Sequence, residues 1–376
     1  MQVRGDRLRR GVRTLHLWLG LGIGGLLVLL GLTGSILVFY PELDALLHPQ
    51  IRVEASDRPA PEPDWDRALA TVRQTYPDKQ GPWRLEVTDQ PGAIPARYYN
   101  PPERAGHAFR PMMVWLSPDG SRVLRRDYWG EYAMTFLYDL HYRLLMGETG
   151  GTILGWLGFI LLALLLSGLW AWWPKGSWTK ALRLKLSAHP QRSLRDWHKL
   201  AGLSGLLFLV ILTVTGIMLA LPEESDATLG ATGLPVDAMP HVHPAAQSSA
   251  TKASVAEIVR NGRSTLPDAR IAWIETPPAE GGTYRLRMQA PGDPSFRFPH
   301  SFVWLDSASG KVLAVHDARE AQAGSVVNNW LHPLHEGSAG GLAGRLLVVL
   351  CGLFPAVLFV TGLLRWRGRR RACSPP

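Results

Sequence analysis

The stretch RDWHKLAGLSGLLFLVILTVTGIMLAL, Arg195–Leu221, decides the fold. From Leu200 to Leu221 it runs for 22 residues without a charge. A helix needs about 20 apolar residues to cross the hydrocarbon core of a bilayer, so this stretch predicts a transmembrane helix. Three others read the same way, at Leu17–Phe39, Thr152–Trp173 and Leu346–Leu364. The first follows a basic start, but its 23 residues lead into Phe39-Tyr40-Pro41-Glu42 and not a small-residue cleavage site. A secretory h-region has only roughly 7–15 apolar residues, so an uncleaved helix is expected. Over 376 residues the apolar share is an ordinary 46%, because two long polar segments separate the spans. A soluble enzyme is excluded.

The net charge of +9 is unevenly placed. Residues 1–14, 175–199 and 365–376 hold 5, 7 and 5 Lys and Arg against Asp6 and Asp196, so they carry +15 and the rest of the chain −6. Lys and Arg favour loops kept on the cytoplasmic side. Both termini and the middle loop are therefore expected in the cytoplasm, and the polar segments in the periplasm of a bacterial inner membrane. The basic excess serves insertion into lipid and speaks against a nucleic-acid partner. The divisions expected are 1–40 (N-terminus and first helix), 41–139 (first outer domain), 140–174 (second helix), 175–198 (basic loop), 199–221 (third helix), 222–328 (second outer domain), 329–366 (fourth helix) and 367–376 (basic tail).

The chain matches itself. At a shift of 182 residues His16 meets His198, Gly20 meets Gly202, and Thr33-Gly34 meets Thr215-Gly216. At a shift of 194, Leu140-His141 meets Leu334-His335, Gly147 meets Gly341, Gly150 meets Gly344, and Ser167-Gly168 meets Thr361-Gly362. The outer segments match at shifts of 189 to 190, where Trp83 meets Trp273 and Val114-Trp115-Leu116 meets Val303-Trp304-Leu305. Each half is thus a helix, an outer domain and a return helix, and the halves are related by an axis along the membrane normal. Each outer domain predicts a short helix (Asp64–Tyr76, Ser254–Leu266) and strands around hairpin turns at Ser117–Gly120 and Asp306–Gly310. The segment Ser225–Thr251, with His241 and His243, predicts a loop.

Four of the twelve histidines fall at equivalent places of the repeat: His16 with His198, and His141 with His335. A residue near a two-fold axis faces its own copy, and two facing imidazoles are natural axial ligands for one haem iron. Haem also needs an apolar slot and cations near its propionates. Arg13 and Arg195 lie beside the first pair in sequence and Arg143 and Arg345 near the second, while glycines at 20, 22, 24, 25, 202 and 205 would let a flat ring approach a helix. His332, one turn before His335, is an alternative outer ligand. No C-x-x-C-H exists for covalent attachment, and Cys351 and Cys373 lie in the fourth span and the tail. Two non-covalent b-type haems are expected, with all four histidines as iron ligands.

Arg13-Thr14-Leu15-His16-Leu17-Trp18-Leu19-Gly20, Arg195-Asp196-Trp197-His198-Lys199-Leu200-Ala201-Gly202, Asp139-Leu140-His141, Asn329-Trp330-Leu331-His332-Pro333-Leu334-His335 and Thr361-Gly362 resemble the PepSY-associated transmembrane family, the iron-regulated membrane proteins. The resemblance covers nearly the whole chain and is greatest to the family's inner-membrane ferric-siderophore reductases. It implies a polytopic α-helical membrane protein with four helices in two tandem repeats, each with a small α+β PepSY-like periplasmic domain. It also implies haem-dependent oxidoreductase activity, with electrons passed to a ferric siderophore. Tyr138, Tyr142, Asn329 and Trp330 are expected to wall the chelate. No nucleotide- or flavin-binding fingerprint is present, so the donor is a quinol or a cytoplasmic reductase. The alternatives are a non-enzymatic membrane protein whose PepSY domains bind a periplasmic partner, and a metal-ion transporter.

Overall fold

The computed structural model describes residues 2–52, 63–88, 92–106, 109–174, 176–183, 189–242 and 252–373. Its helices are α1 (Gln2–Leu37), α2 (Tyr40–Leu47), α3 (Trp65–Thr75), α4 (Ala133–Arg143), α5 (Gly147–Trp172), α6 (Trp178–Leu182), α7 (Pro190–Ala220), α8 (Pro222–Ala231), α9 (Val255–Thr265), α10 (Ala323–Glu336) and α11 (Gly341–Cys373). Among the described residues four segments are long and apolar enough to cross a membrane: Arg7–Leu37, Gly147–Trp172, Pro190–Ala220 and Ser338–Arg370. Each span read from the sequence falls on one of them. The chain forms two compact units, one of Met1–Phe39, Tyr138–Pro222 and Leu334–Pro376, the other of Tyr40–Leu137 and Glu223–Pro333.

In the first unit α1 packs on α5 and α11, and α7 packs on the same two, so the four long helices close a ring with α1 and α7 opposite. Small residues let helix backbones approach in lipid. Gly31 and Gly352 show it, since a Cβ on Gly352 would stand 2.5 Å from the Gly31 carbonyl. Trp18, Trp156, Trp170 and Trp173 are exposed on the outside of the helices, as expected of side chains facing the lipid interface.

The histidines that precede the return helices ride on separate short helices. The chain turns from α4 into α5 through Leu144, Leu145 and Gly147 at φ of 50°, 61° and 62°, and from α10 into α11 through Gly337 and Gly341 at 80° and 57°. Positive φ favours glycine, which explains why Gly147 and Gly341 recur. Gly150 and Gly344 recur for a second reason: a Cβ there would lie 1.8 Å from the Arg143 carbonyl or 2.2 Å from that of Gly337. These corners aim His141 and His335.

The second unit is built on strands β1 (Trp83–Glu86), β2 (Ile94–Tyr98), β3 (Met112–Leu116), β4 (Val123–Tyr128), β5 (Arg270–Glu275), β6 (Thr283–Gln289), β7 (Ser301–Asp306) and β8 (Val312–His316). The two expected α+β domains share one antiparallel sheet, ordered β4-β3-β2-β1-β5-β6-β7-β8. Each repeat gives four strands and one amphipathic helix, α3 or α9. Asp64 and Ser254 cap those helices by accepting from the amides of Arg67 and Glu257. Their apolar faces cover Leu85, Ile274, Leu286, Val303 and Leu305, all fully buried.

The repeats join where β1 pairs with β5, with Leu85 opposite Ile274, Arg84 opposite Glu275 and Glu86 opposite Trp273. Exchanging the two strands maps this set of pairs onto itself, so the local dyad passes between Leu85 and Ile274. The offset of 190 that relates Asp64 to Ser254 has become 189 here. The sequence match of Trp83 to Trp273 is therefore corrected. A one-residue slip sends a strand side chain to the opposite face; Trp83 lies in the core, whereas Trp273 stacks against Arg84 on the other face. The expected loop from Ser225 is corrected too, because α8 runs through to Ala231; His243 lies outside the described residues.

Candidate functional site

The repeat puts the four matched histidines into two facing pairs. The rings of His16 on α1 and His198 on α7 have their centres 6.2 Å apart and their planes at 84°. Those of His141 on α4 and His335 on α10 are also 6.2 Å apart, at 59°.

Each ring is held by a hydroxyl from a long helix of the same bundle. His141 Nδ1 lies 2.9 Å from Thr33 Oγ1, and His335 Nδ1 lies 2.9 Å from Thr215 Oγ1. His16 Nδ1 lies 3.1 Å from Ser167 Oγ, and His198 Nδ1 lies 3.0 Å from Thr361 Oγ1. All four hydroxyl residues are buried. Each hydroxyl also gives its proton to a carbonyl of its own helix: Thr33 to Leu29 at 2.8 Å, Thr215 to Ile211 at 2.8 Å, Ser167 to Leu164 at 2.8 Å and Thr361 to Val357 at 2.6 Å. A hydroxyl has one proton and two lone pairs, so what it turns to the imidazole is an acceptor. Nδ1 is then the protonated nitrogen in every ring and Nε2 carries the free lone pair, the tautomer a metal-binding imidazole needs.

The residue after each hydroxyl is glycine. A Cβ on Gly34 or Gly168 would stand 2.9 Å from Cε1 of His141 or His16, and one on Gly216 would stand 3.2 Å from that of His335. At Gly362 the distance to His198 is 3.6 Å, an ordinary contact. The repeated Thr-Gly or Ser-Gly is thus a bracket, with hydroxyl to hold the imidazole and glycine to admit it. In the sequence these dipeptides stand out only as repeated letters. The glycines expected to admit a flat ring divide differently: Gly24 and Gly205 face Phe359 and Phe354, with a Cβ at 2.9 and 2.3 Å, whereas Gly22 and Gly25 face open space.

His332 points elsewhere. Its ring stacks on Phe298 at 4.6 Å, in the second unit. The arginines are dispersed. Arg13 is exposed, Arg195 sits 3.7 Å from Asp196, Arg143 lies over the Tyr142 ring, and Arg345 lies over Phe39 and donates to the Val38 carbonyl. Arg365, absent from the sequence reading, is the guanidinium whose charge reaches both His16 and His198. Tyr138 and Tyr142 pack edge to face at 6.2 Å, Asn329 is buried, and Trp330 is exposed. Among the described residues no group of three or more His, Cys, Asp or Glu side chains could hold a bare metal ion.

Four spanning helices with paired, tautomer-fixed imidazoles between them define a polytopic membrane protein with two candidate cofactor sites. The chain belongs to the PepSY-associated TM region family, whose sequence profile matches residues 13–369. No curated protein matches it.

Proposed function

We propose that this protein is a di-haem b reductase of the bacterial inner membrane that passes electrons outward to a periplasmic ferric siderophore and releases iron as Fe(II). The observation that carries this is the separation of the imidazoles in both pairs. A metal–imidazole bond is about 2 Å, and the ring nitrogen lies roughly 1 Å from the ring centre, so two imidazoles sharing one iron have centres about 6 Å apart. Both pairs stand at 6.2 Å, and in both the hydroxyls leave Nε2 unprotonated.

Haem bound there would supply reversible one-electron transfer. The chain's part is to hold it: His16 and His198 as ligands at one level, His141 and His335 at the other, with Arg365 offsetting acidic groups beside the first pair. The basic termini favour placing that pair at the cytoplasmic side, where a quinol or a cytoplasmic reductase would give one electron per ferric ion. Siderophores hold Fe(III) through hard oxygen donors and bind Fe(II) far less tightly, so one electron loosens the metal without breaking the ligand. A metal-ion path through the bundle finds less support. The hydroxyls of Thr33, Ser35, Ser204, Thr213 and Thr215 each donate to a carbonyl one turn back.

The test is the absorption spectrum of the detergent-purified protein, oxidised and dithionite-reduced, with extracted haem counted per chain. About two six-coordinate b-type haems are expected from two histidine pairs. A protein that stays colourless after expression with added haem overturns the proposal and moves the reading to a PepSY protein that binds a periplasmic partner.

A further inference from the structure

The second unit's sheet has two unlike faces. Alternate residues of a strand point to opposite sides. One side is the apolar core under α3 and α9. On the other, the four central strands bring up Arg97, Arg84, Arg285 and Arg287, and Arg297 from the β6–β7 connection adds its charge against Glu86. Only two carboxylates answer these five guanidiniums within the strands, Glu86 paired with Arg84 and Glu275 paired with Arg285. Nearby Asp293 is already taken by the backbone amides of Ser295 and His300.

The guanidiniums are stacked and not fully hydrogen-bonded. Arg84 lies 3.8 Å over the Trp273 ring and Arg287 4.3 Å over the same ring; Arg97 lies 5.1 Å over Trp129. Stacking uses the flat faces of a guanidinium and leaves its N–H edge for oxygen; Arg287 turns that edge to the Pro299 and Phe298 carbonyls, and Arg84 turns its edge to Glu86 and the Tyr99 hydroxyl. Arg97 is decisive. It is 9% exposed, its Nε has no acceptor, and no carboxylate pairs with it among the described residues. The charge of Glu86 reaches Arg97, but Glu86 pairs with Arg84, so this buried guanidinium keeps an unmet N–H, which is costly and marks a place for an acceptor. Burial and the neighbouring Arg84 draw Arg97 below the usual arginine range, and burial draws Arg287 down to about 10.

A cleft of about 490 Å³ opens beside this face, with Arg285 the one guanidinium of the five in its wall, alongside Glu275, Tyr99, Trp304 and His241. That volume suits a small-molecule ligand. His332 stacks on Phe298 at 4.6 Å, and Phe298 packs on Trp273 at 5.7 Å.

We infer that this guanidinium-lined face binds the iron chelate and selects those with net negative charge and clustered oxygen donors, such as tricatecholates, over neutral trihydroxamates. The inference rests on the proposed reductase reading for the identity of the ligand, and the charge complementarity stands on its own. Gallium(III) replaces iron as the probe, so binding is read without electron transfer. The full-length protein is titrated with gallium tricatecholate and with a neutral gallium trihydroxamate, followed by quenching of tryptophan fluorescence, while haem is counted in the same sample.

The anionic complex should bind at least about tenfold tighter, as one or more charge-assisted hydrogen bonds would give, and lose affinity as salt is raised. Arg97→Gln should weaken it about tenfold. Because Arg97 is buried, two rim variants guard against simple misfolding: Arg285→Gln should weaken binding of the anion and Glu275→Gln should tighten it. A merely structural role for this pair would make both variants lose. Equal binding of the two gallium complexes, competition by inorganic phosphate as strong as by the tricatecholate, or two rim variants that move the same way would overturn the inference. Haem present with no charge preference sinks this inference alone; charge-selective binding without haem sinks the reductase reading alone.

Discussion

Thr33 Oγ1 lies 2.9 Å from His141 Nδ1 while giving its own proton to the Leu29 carbonyl, so the threonine is an acceptor for the imidazole. Such partners of a ligating histidine usually change metal affinity or activity about 10–100-fold when removed. Thr33→Val keeps the shape and removes the acceptor. We expect it to weaken haem binding at the His141–His335 site by about tenfold, with Thr33→Ser close to the parent. Titrating the haem-free protein with haem checks both.

The two candidate outer ligands separate cleanly by variant. His335→Ala should remove about one haem of two, consistent with one histidine pair per haem. His332→Ala should keep both, because its ring is engaged with Phe298. Extracted haem per chain decides it, and loss of haem from His332→Ala alone would reverse the assignment.

The glycine brackets predict a ranking. A Cβ at 2.9 Å forces the imidazole to move, whereas one at 3.6 Å is accommodated. Gly34→Ala and Gly168→Ala should therefore lower haem occupancy or disturb the low-spin spectrum, and Gly362→Ala should leave both near the parent. Electron paramagnetic resonance of the oxidised protein reads the ligand field directly.

Acid sensitivity of the second unit should report Glu103. Partial burial works against this carboxylate, but Lys79 and Tyr128 donate to it and hold its pKa at about 2 against an ordinary 4.5. A depressed folded-state pKa gives stability that is fully present above the unfolded value and lost as pH falls through the folded one. The contribution should thus fade from about pH 4.5 to about pH 2. Glu103→Gln should flatten that part of the melting-temperature profile, and an unchanged slope would show that the interaction does not stabilise the fold.

The spans, the duplication and both histidine pairs were legible in the sequence because each leaves a mark in residue identity: charge-free length for the helices, a constant offset for His16 with His198 and for His141 with His335. The hydroxyl brackets were visible only as repeated letters. Thr33 and His141 are 108 residues apart and meet only where the end of α4 reaches α1, which no local pattern announces. The joining of the outer domains was hidden for another reason. The β1–β5 pairing is made by backbone groups, which every residue has, so it leaves no side-chain signature. Trp83 and Trp273 even pointed the wrong way, since identical letters one register apart face opposite sides of the sheet.

The dyad between Leu85 and Ile274 places Arg84 and Trp273 at equivalent positions, and there they stack on one another. Two separate copies of one half would have to bring the same residue to both places, either two guanidiniums that repel or two indoles with no charge to offer. Tandem fusion in a single polypeptide lifts that constraint, because each half can accumulate substitutions alone. The mixed pair is therefore a mark of divergence after duplication, and half-length relatives that assemble as identical pairs should lack it.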